Sequence, residues 1–299
     1  MDRLHAMAVF VAVVDGGSFA SAARKLELSP PVVTRAVAEL ESRLGLRLLT
    51  RTTRHVRVTE AGARYADDCR RILADVQTAE EAAAGQHTAA RGTLAVTAPV
   101  LFGQKYVMPV LVEYLQRCPD VDAQCLFLDR VVNLDEEGMD VAVRIGPLPD
   151  SSLQAIPVGR VRQVLIAAPG YLAEHGVPQS PADLRHHTLV SRGGVAPEVE
   201  WRFHDQSAEH VERLQPRIRT SSNDAALSAA VAGFGITRLL SYQVAEAVQR
   251  GDVQVLLDGY ERPALPIHVV HREGRHATQK VRGFIDLAVE RLRAHPALR

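Results

Sequence analysis

Residues 29–40 read SPPVVTRAVAEL, and the two prolines near their start decide how the N-terminal part of the chain folds. Ser29 is a good helix N-cap, because its hydroxyl can accept a hydrogen bond from an orphan amide of the first turn. Pro30 then falls at the first helical position, where a missing N–H costs nothing and the fixed φ suits a helix. Pro31 also lies among the first four residues, whose N–H groups have no intrahelical partner. The prolines therefore open a helix and do not break one. Behind them Val33, Val37, Leu40 and Leu44 recur at helical spacing as one apolar stripe, and Gly45 reads as the stop. Pro31, Thr34, Arg35 and Ala38 fall on another face, where small residues leave room for close approach. Taken alone, this is equally an ordinary capped surface helix.

The flanking sequence separates the two readings. Upstream, Leu4, Met7, Ala8, Val11 and Val14 form a second apolar stripe that Gly16-Gly17 ends. Ser18 caps a further stretch, SFASAARKLEL, with Phe19, Ala22, Ala23 and Leu26 on its inner face. Two short helices, the tight turn ELS and a third capped helix make a helix-turn-helix, whose second member enters the DNA major groove N-terminus first. Downstream, RLLTRTTRHVRVT carries Arg47, Arg51, Arg54 and Arg57 on a β-prone run suited to a two-stranded basic wing. Residues 1–58 hold nine Lys/Arg against five acids (Asp2, Asp15, Glu27, Glu39, Glu41), whereas the whole chain balances 35 against 35. A basic module on a neutral protein is the electrostatic footprint of phosphate binding. Few aromatics are interleaved to stack on splayed bases, which favours DNA over RNA.

The stretch FVAVVDGGSFASAARKLELSPPVVTRAVAELESRLGLRLLTRTTRHVRVTEAG (10–62) resembles the N-terminal domain of LysR-type transcriptional regulators. The match runs through A-A-x-x-L of the second helix and S-x-P-x-V-[ST]-R at the start of the recognition helix. It continues through L-E-x-x-L-G-x-x-L-x-x-R and T-E-A-G. The resemblance implies a winged helix-turn-helix over 1–58 that binds double-stranded operator DNA. Ser29, Pro30, Pro31, Thr34 and Arg35 are its candidate contacts on the helix, and Arg51 and Arg54 those on the wing. Pro30 departs from the family, which usually has a polar residue there, often Gln, that helps to read the operator.

After the wing, Thr59 is placed to cap a long helix. Ala61, Tyr65, Cys69, Ile72, Val76, Ala79 and Ala83 then step by fours and threes as one narrow stripe. Such a stripe needs cover, either from the chain's own domains or from a second copy. The resemblance implies the second: a linker and dimerisation helix with its hinge over 59–91, with Tyr65, Ile72 and Val76 in the dimer seam. Homodimers would then pair into a homotetramer.

From Thr93 the pattern changes to strands alternating with helices: TLAVTA, VMPVLVEYLQRCP, DAQCLFL, a short helix around Asn133 to Glu137, and DVAVRI. A second set follows from Arg162 with VLIAAPGYL, HTLVSR, VEWRFHD and RIRTSSNDAALSAAVAGFGITRL, then a return strand PIHVVHR and a final helix over 277–293. Alternation of this kind predicts parallel α/β sheets. The overall expectation is an α/β protein: a head, a linker helix, and two α/β subdomains over 92–299. The resemblance makes these an effector domain like a periplasmic binding protein, with subdomain I about 92–161 and 268–299 and subdomain II about 162–267.

In open α/β sheets, ligands bind beyond the carboxyl ends of strands, often against helix N-termini. TAPVLFG (97–103) and TSSNDA (220–225) stand at such junctions. Thr97, Pro99, Val100, Leu101, Phe102, Ser221, Ser222 and Asn223 are therefore the candidate effector residues, and hydroxyls and amides there suit a small anion, a carboxylate above all. Arg144 either adds positive charge to that site or pairs with Asp140 or Asp150.

Enzyme readings find no support in the sequence, since G-x-S-x-G, P-loop and H-E-x-x-H are absent. Neither His186-His187 nor HVVHREGRH (268–276) has metal-ligand spacing, and no metal or cofactor is expected. The three cysteines, 69, 118 and 125, are too few and too odd in number for a disulfide framework. A Cys118–Cys125 redox pair competes poorly with buried inert thiols. No stretch approaches the ~20 apolar residues that span a bilayer, so no membrane partner is expected. AMAVFVAVV belongs to the first helix and is not read as a signal peptide, which places the protein in the cytoplasm. A solute-binding protein with a basic head and a purely architectural DNA-binding protein are the competing classes. Against the second stands the size of 92–299. The sequence thus leads to a ligand-responsive transcription factor acting on RNA polymerase.

Overall fold

In a computed structural model, the structure describes residues 2–51, 56–83, 90–134, 136–148, 153–193, 198–205, 208–272 and 278–298. The chain divides into two compact units. One holds residues 1–93 with 118–122 and 274–282, and the other holds the remainder.

The first unit opens with α1 (Arg3–Gly16), α2 (Phe19–Lys25) and α3 (Pro30–Leu44). Gly17 and Gly45 end α1 and α3 in the left-handed conformation that glycine adopts freely. The Ser18 hydroxyl caps α2 by accepting from the Ser21 amide at 3.1 Å. Ser29 occupies the N-cap of α3 but, contrary to expectation, makes no side-chain cap bond. An N-cap side chain accepts from the second or third helical amide, and here Pro31 has removed the former. Val33, Ala36, Val37 and Leu40 of α3 pack with Val9, Phe10 and Val13 of α1 and Ala22 of α2 in one core. Leu44, expected in that stripe, is 37% exposed at the frayed end.

The wing is a two-stranded antiparallel sheet, β1 (Leu49–Arg51) and β2 (Val56–Val58), with Thr50 opposite Arg57. Then α4 (Glu60–Ala83) begins, and the Thr59 hydroxyl accepts from the Gly62 amide at 2.9 Å. Gly62 lies so close to the Leu48 carbonyl that a Cβ would overlap it, which explains the glycine of T-E-A-G.

The second unit carries two five-stranded sheets. Its segments are β3 (Gly92–Ala98), α5 (Val100–Phe102), a π-helical turn (Gly103–Val107), α6 (Met108–Arg117), β4 (Val121–Phe127), β5 (Val141–Ile145), β6 (Leu153–Val161) and β7 (Gln163–Ala167). There follow α7 (Pro169–His175), β8 (Leu189–Arg192), β9 (Val199–His204), β10 (Glu209–Leu214), β11 (Ile218–Thr220), α8 (Asn223–Val231), β12 (Ile236–Leu240), α9 (Ser241–Arg250), β13 (Gln254–Leu256), β14 (Leu265–Arg272) and α10 (Gln279–Ala294). Sheet I runs β4-β3-β5-β14-β6 and sheet II runs β11-β8-β12-β7-β13. Between Asn133 and Glu137 the described residues form a turn, not the expected helix; the Met139 amide closes it on Leu134 at 3.0 Å, and Gly138 stops it at φ 65.

The sheets are mixed, not uniformly parallel. β3 pairs with β5, and β8 with β11 and β12, in parallel. β14 instead runs antiparallel to β5 and β6, and β7 antiparallel to β12 and β13. The antiparallel members flank the places where the chain changes sheet. Arg162 alone separates β6 from β7, leaving no room for a crossover helix. The return strand begins at Leu265, one residue before the expected PIHVVHR (266–272).

β7 shows how both faces of sheet II are covered. Leu165 and Ala167 join one core, and Val164 and Ile166 join the other, as a strand's alternating side chains require. The first of these cores is roofed by the β9–β10 hairpin, which contributes Trp201, Phe203 and Leu214. The Arg238 guanidinium lies 5.1 Å from the Trp201 ring and donates to the Arg202 carbonyl at 3.1 Å. Desolvation pushes its pKa down to about 10. Among the described residues, no single helix is long and apolar enough to cross a membrane.

Candidate DNA-binding surface and ligand cleft

α3 separates its faces as the opening residues predict. Val33, Ala36, Val37 and Leu40 are buried, Thr34 is half-buried, and Ser29, Pro30, Pro31, Arg35 and Ala38 are exposed. The N-terminal end of the helix is thus clear to meet a groove. The wing backbone is built as expected, though the Arg51 side chain and all of Arg54 lie outside the described residues.

What fixes the wing to this helix is Glu41, which the sequence shows as the acid of L-E-x-x-L-G and in the charge count but with no role attached. Its side chain is 10% exposed. Oε1 accepts from the amides of Leu48 (2.8 Å) and Leu49 (3.0 Å), and Oε2 accepts from Arg47 (3.1 Å). A buried carboxylate taking two backbone amides holds the chain where it leaves α3 for β1.

In α4, Cys69 is fully buried, and Tyr65, Ile72 and Leu73 pack against the core of their own head. The Tyr65 ring lies 5.9 Å from Phe10, and Arg70 pairs with Asp15 of α1 at 2.6 Å. Two of the three expected seam residues, Tyr65 and Ile72, therefore have contacts within the chain. Val76, half-buried, lies beyond that cluster. Ala79 and Ala83 of the stripe have side chains outside the described residues.

In the second unit, residues 97–103 and 220–225 run past the carboxyl ends of β3 and β11 and are linked through Asp129, and most of their polar groups are already engaged. The Thr97 hydroxyl donates to the Leu126 carbonyl at 2.6 Å, so it ties β3 to β4 and has no proton left for a ligand. Ser222 caps α8 by accepting from the Ala225 amide at 3.2 Å, and Ser221 is exposed beside it. Arg144 donates to the Val132 carbonyl, and the Asp140 carboxylate accepts from the Ala95 amide at 2.9 Å. The contacts seen for Arg144 and Asp140 are thus to the backbone, and Asp150 lies outside the described residues. Pro99 and Leu101 are half-buried and Val100 is 43% exposed, while Phe102 is fully buried. Phe102 packs in an aromatic trio, tilted against Tyr106 at 4.8 Å and edge-to-face with Tyr242 of the second subdomain at 5.4 Å.

The residue missed here is Asp129, just past β4. Its Oδ1 accepts from the Val100 amide at 3.0 Å, and its Oδ2 accepts from Asn223 Nδ2 at 2.8 Å. Arg192, at the end of β8, comes within 3.5 Å of the same Oδ2 and donates to the Asp129 carbonyl at 3.3 Å. Lys105 of the π-helical turn pairs with Glu246 of α9 at 2.6 Å. At these junctions it is the protein's own carboxylate that gathers the Val100 amide, Asn223 and Arg192. A separate cavity of about 330 Å³ lies nearby, lined by Arg160, Arg162, Val164, Tyr242 and Val248 among others.

All three cysteines are free. Burial raises the pKa of the Cys125 thiol and pushes that of Cys69 to about 11, which disfavours the reactive thiolate at both.

With this geometry in place, comparison with known proteins is direct. Residues 4–63 match the family described as bacterial regulatory helix-turn-helix protein, lysR family, and residues 87–293 match the LysR substrate binding domain. The chain is 32% identical over 289 residues to the transcriptional activator AaeR of Escherichia coli K12, covering 96% of this chain and 93% of that protein. It is 33% identical to a transcriptional repressor of Pseudomonas aeruginosa, covering 100% of this chain and 95% of the relative. The full-length structure of AphB, a virulence activator from Vibrio cholerae, superposes with a TM-score of 0.62 at 28% identity, covering 97% of this chain and 99% of that one.

Proposed function

The chain belongs to the LysR family of DNA-binding transcriptional regulators, and from that premise we propose how its parts act. The exposed start of α3 enters the major groove of operator DNA. Thr34 and Arg35 read base edges there, Ser29 and the two prolines fit the groove wall, and Arg51 and Arg54 of the wing grip phosphates. Homodimers form through the outer part of α4 and pair into tetramers, so that several heads reach spaced half-sites. An anionic effector, a carboxylate, is held where the Val100 amide, Asn223 and Arg192 converge, with its organic part towards Val100 and Leu101. Its binding alters how the subdomains bridge, and through the heads it changes the access of RNA polymerase in the cytoplasm.

The observation that carries this reading is the split of α3 into a buried valine face and a face with exposed Arg35 and half-buried Thr34, behind a proline-opened N-terminus. The test is Thr34→Ala combined with Arg35→Ala in the full chain. Each lost base contact should cost ~1–3 kcal/mol of operator preference, with the oligomer unchanged. Arg54→Ala should weaken binding to all sequences alike and flatten its salt dependence. A double variant that still separates operator from random DNA would remove α3 from recognition.

A further inference from the structure

We propose that Asp129 is a resident ligand of the effector cleft. It fills from within the chain the seat that an effector carboxylate takes, and the effector binds by displacing it. This rests on the regulator reading above and adds the mode of control.

The geometry is that of a bound carboxylate. Val100 donates its amide from the first subdomain at 3.0 Å, and Asn223 donates its side-chain amide from the second at 2.8 Å. Arg192, also of the second subdomain, supplies the positive charge at 3.5 Å. One acidic side chain thus collects donors from both subdomains, beyond the carboxyl ends of β3, β4 and β8, where ligands of α/β sheets bind. Asp129 lies outside any strand, so its side chain can leave without breaking a ladder bond. A second carboxylate cannot enter while Asp129 stays, because like charges at contact repel and each would lack donors. Occupancy is therefore exclusive. Tethering gives Asp129 a high effective concentration at the seat, on the order of millimolar, and an effector must exceed that threshold. The bridge between the subdomains exists before the effector arrives, so binding exchanges one bridge for another.

A seat vacated by removing Asp129 should accept a small free carboxylate. The experiment follows thermal unfolding of the full-length chain during titration with sodium acetate, against sodium chloride at equal ionic strength. Asp129→Ala should melt below the unmodified protein, and millimolar acetate should raise its midpoint saturably where chloride does not. The unmodified protein and Asp129→Asn, whose seats stay filled, should respond to both salts alike. Asp129→Ser, a small polar replacement, gives the same readout if the alanine variant does not fold. Absence of an acetate-specific rise in the seat-emptied variants overturns the proposal, as does an equal rise in the unmodified protein. Operator retention measured on the same samples keeps the premises apart. Rescue failing while operator DNA is retained removes only the resident ligand, whereas loss of operator retention by the unmodified protein removes the regulator reading.

Discussion

Glu41 shows how much one side chain carries in the head. Its carboxylate is the acceptor for two buried amides and for Arg47, so Glu41→Ala would leave both N–H groups without a partner. Buried donors left unpaired cost ~1–3 kcal/mol each, and the variant should lose about 3 kcal/mol in the unfolding of the head. It should also bind operator DNA more weakly, because the wing is no longer held to α3. Chemical denaturation alongside DNA retention checks both. Glu41→Gln keeps one acceptor oxygen and should fall between. The role of neither Glu41 nor Asp129 is legible in the sequence, although Glu41 stands in the L-E-x-x-L-G stretch. Both are acids in sequence surroundings that look solvated, and their roles depend on amides brought in from elsewhere in the fold. Ser18 and Thr59 were legible because a cap acts within one helical turn.

At the scale of elements, α4 divides along its length. From Ala66 to Leu73 its apolar residues cover the core of the head, so a charge at Ile72 would disturb folding as well as any assembly. Val76 lies past that contact and isolates the interface. Val76→Glu should leave the unfolding midpoint of the monomer within about 0.5 kcal/mol of its original stability while shifting sedimentation towards the monomer. Unchanged sedimentation would take this stretch out of the dimer seam. Local periodicity correctly marked α3, α4 and the buried run of β7, since each is amphipathic or doubly covered over its own length. In α1 it marked the wrong face, for Ala6, Val9, Phe10 and Val13 are buried where Leu4, Ala8, Val11 and Val14 were expected to be. It missed the β10 partner of the hairpin and α9 and β13. EHVERL alternates only weakly, whereas SYQVAEAVQR carries helical spacing and a Gly251 stop that the sequence reading passed over. Antiparallel β7 and β14 were likewise hidden, because direction within a sheet is a property of pairing and not of any one strand.

For the whole molecule, two histidines make stability depend on acidity. Burial, reinforced by His175 and His186 and opposed by Asp183, lowers the pKa of His187 below the ordinary 6.5, and burial alone lowers that of His268. An unfolded chain therefore takes up protons before the folded one does. The stability these groups confer is complete above pH 6.5 and is lost as pH falls through their lowered folded values. Calorimetry from pH 7.5 downward should show the second unit melting earlier in mild acid, with His268→Gln flattening part of the slope. A midpoint that rose in acid would contradict this assignment.

The chain contains one tryptophan, Trp201, buried 5% exposed in the β9–β10 hairpin with the Arg238 guanidinium over its ring. Its emission is therefore a private signal of the second subdomain. Excited selectively, the protein reports the opening of that hairpin and the loss of its cation–π contact, while melting of the winged head passes in silence. Fluorescence and far-ultraviolet dichroism consequently follow different parts of this molecule. The gap between their transitions measures how independently the ligand-sensing and DNA-reading parts come apart.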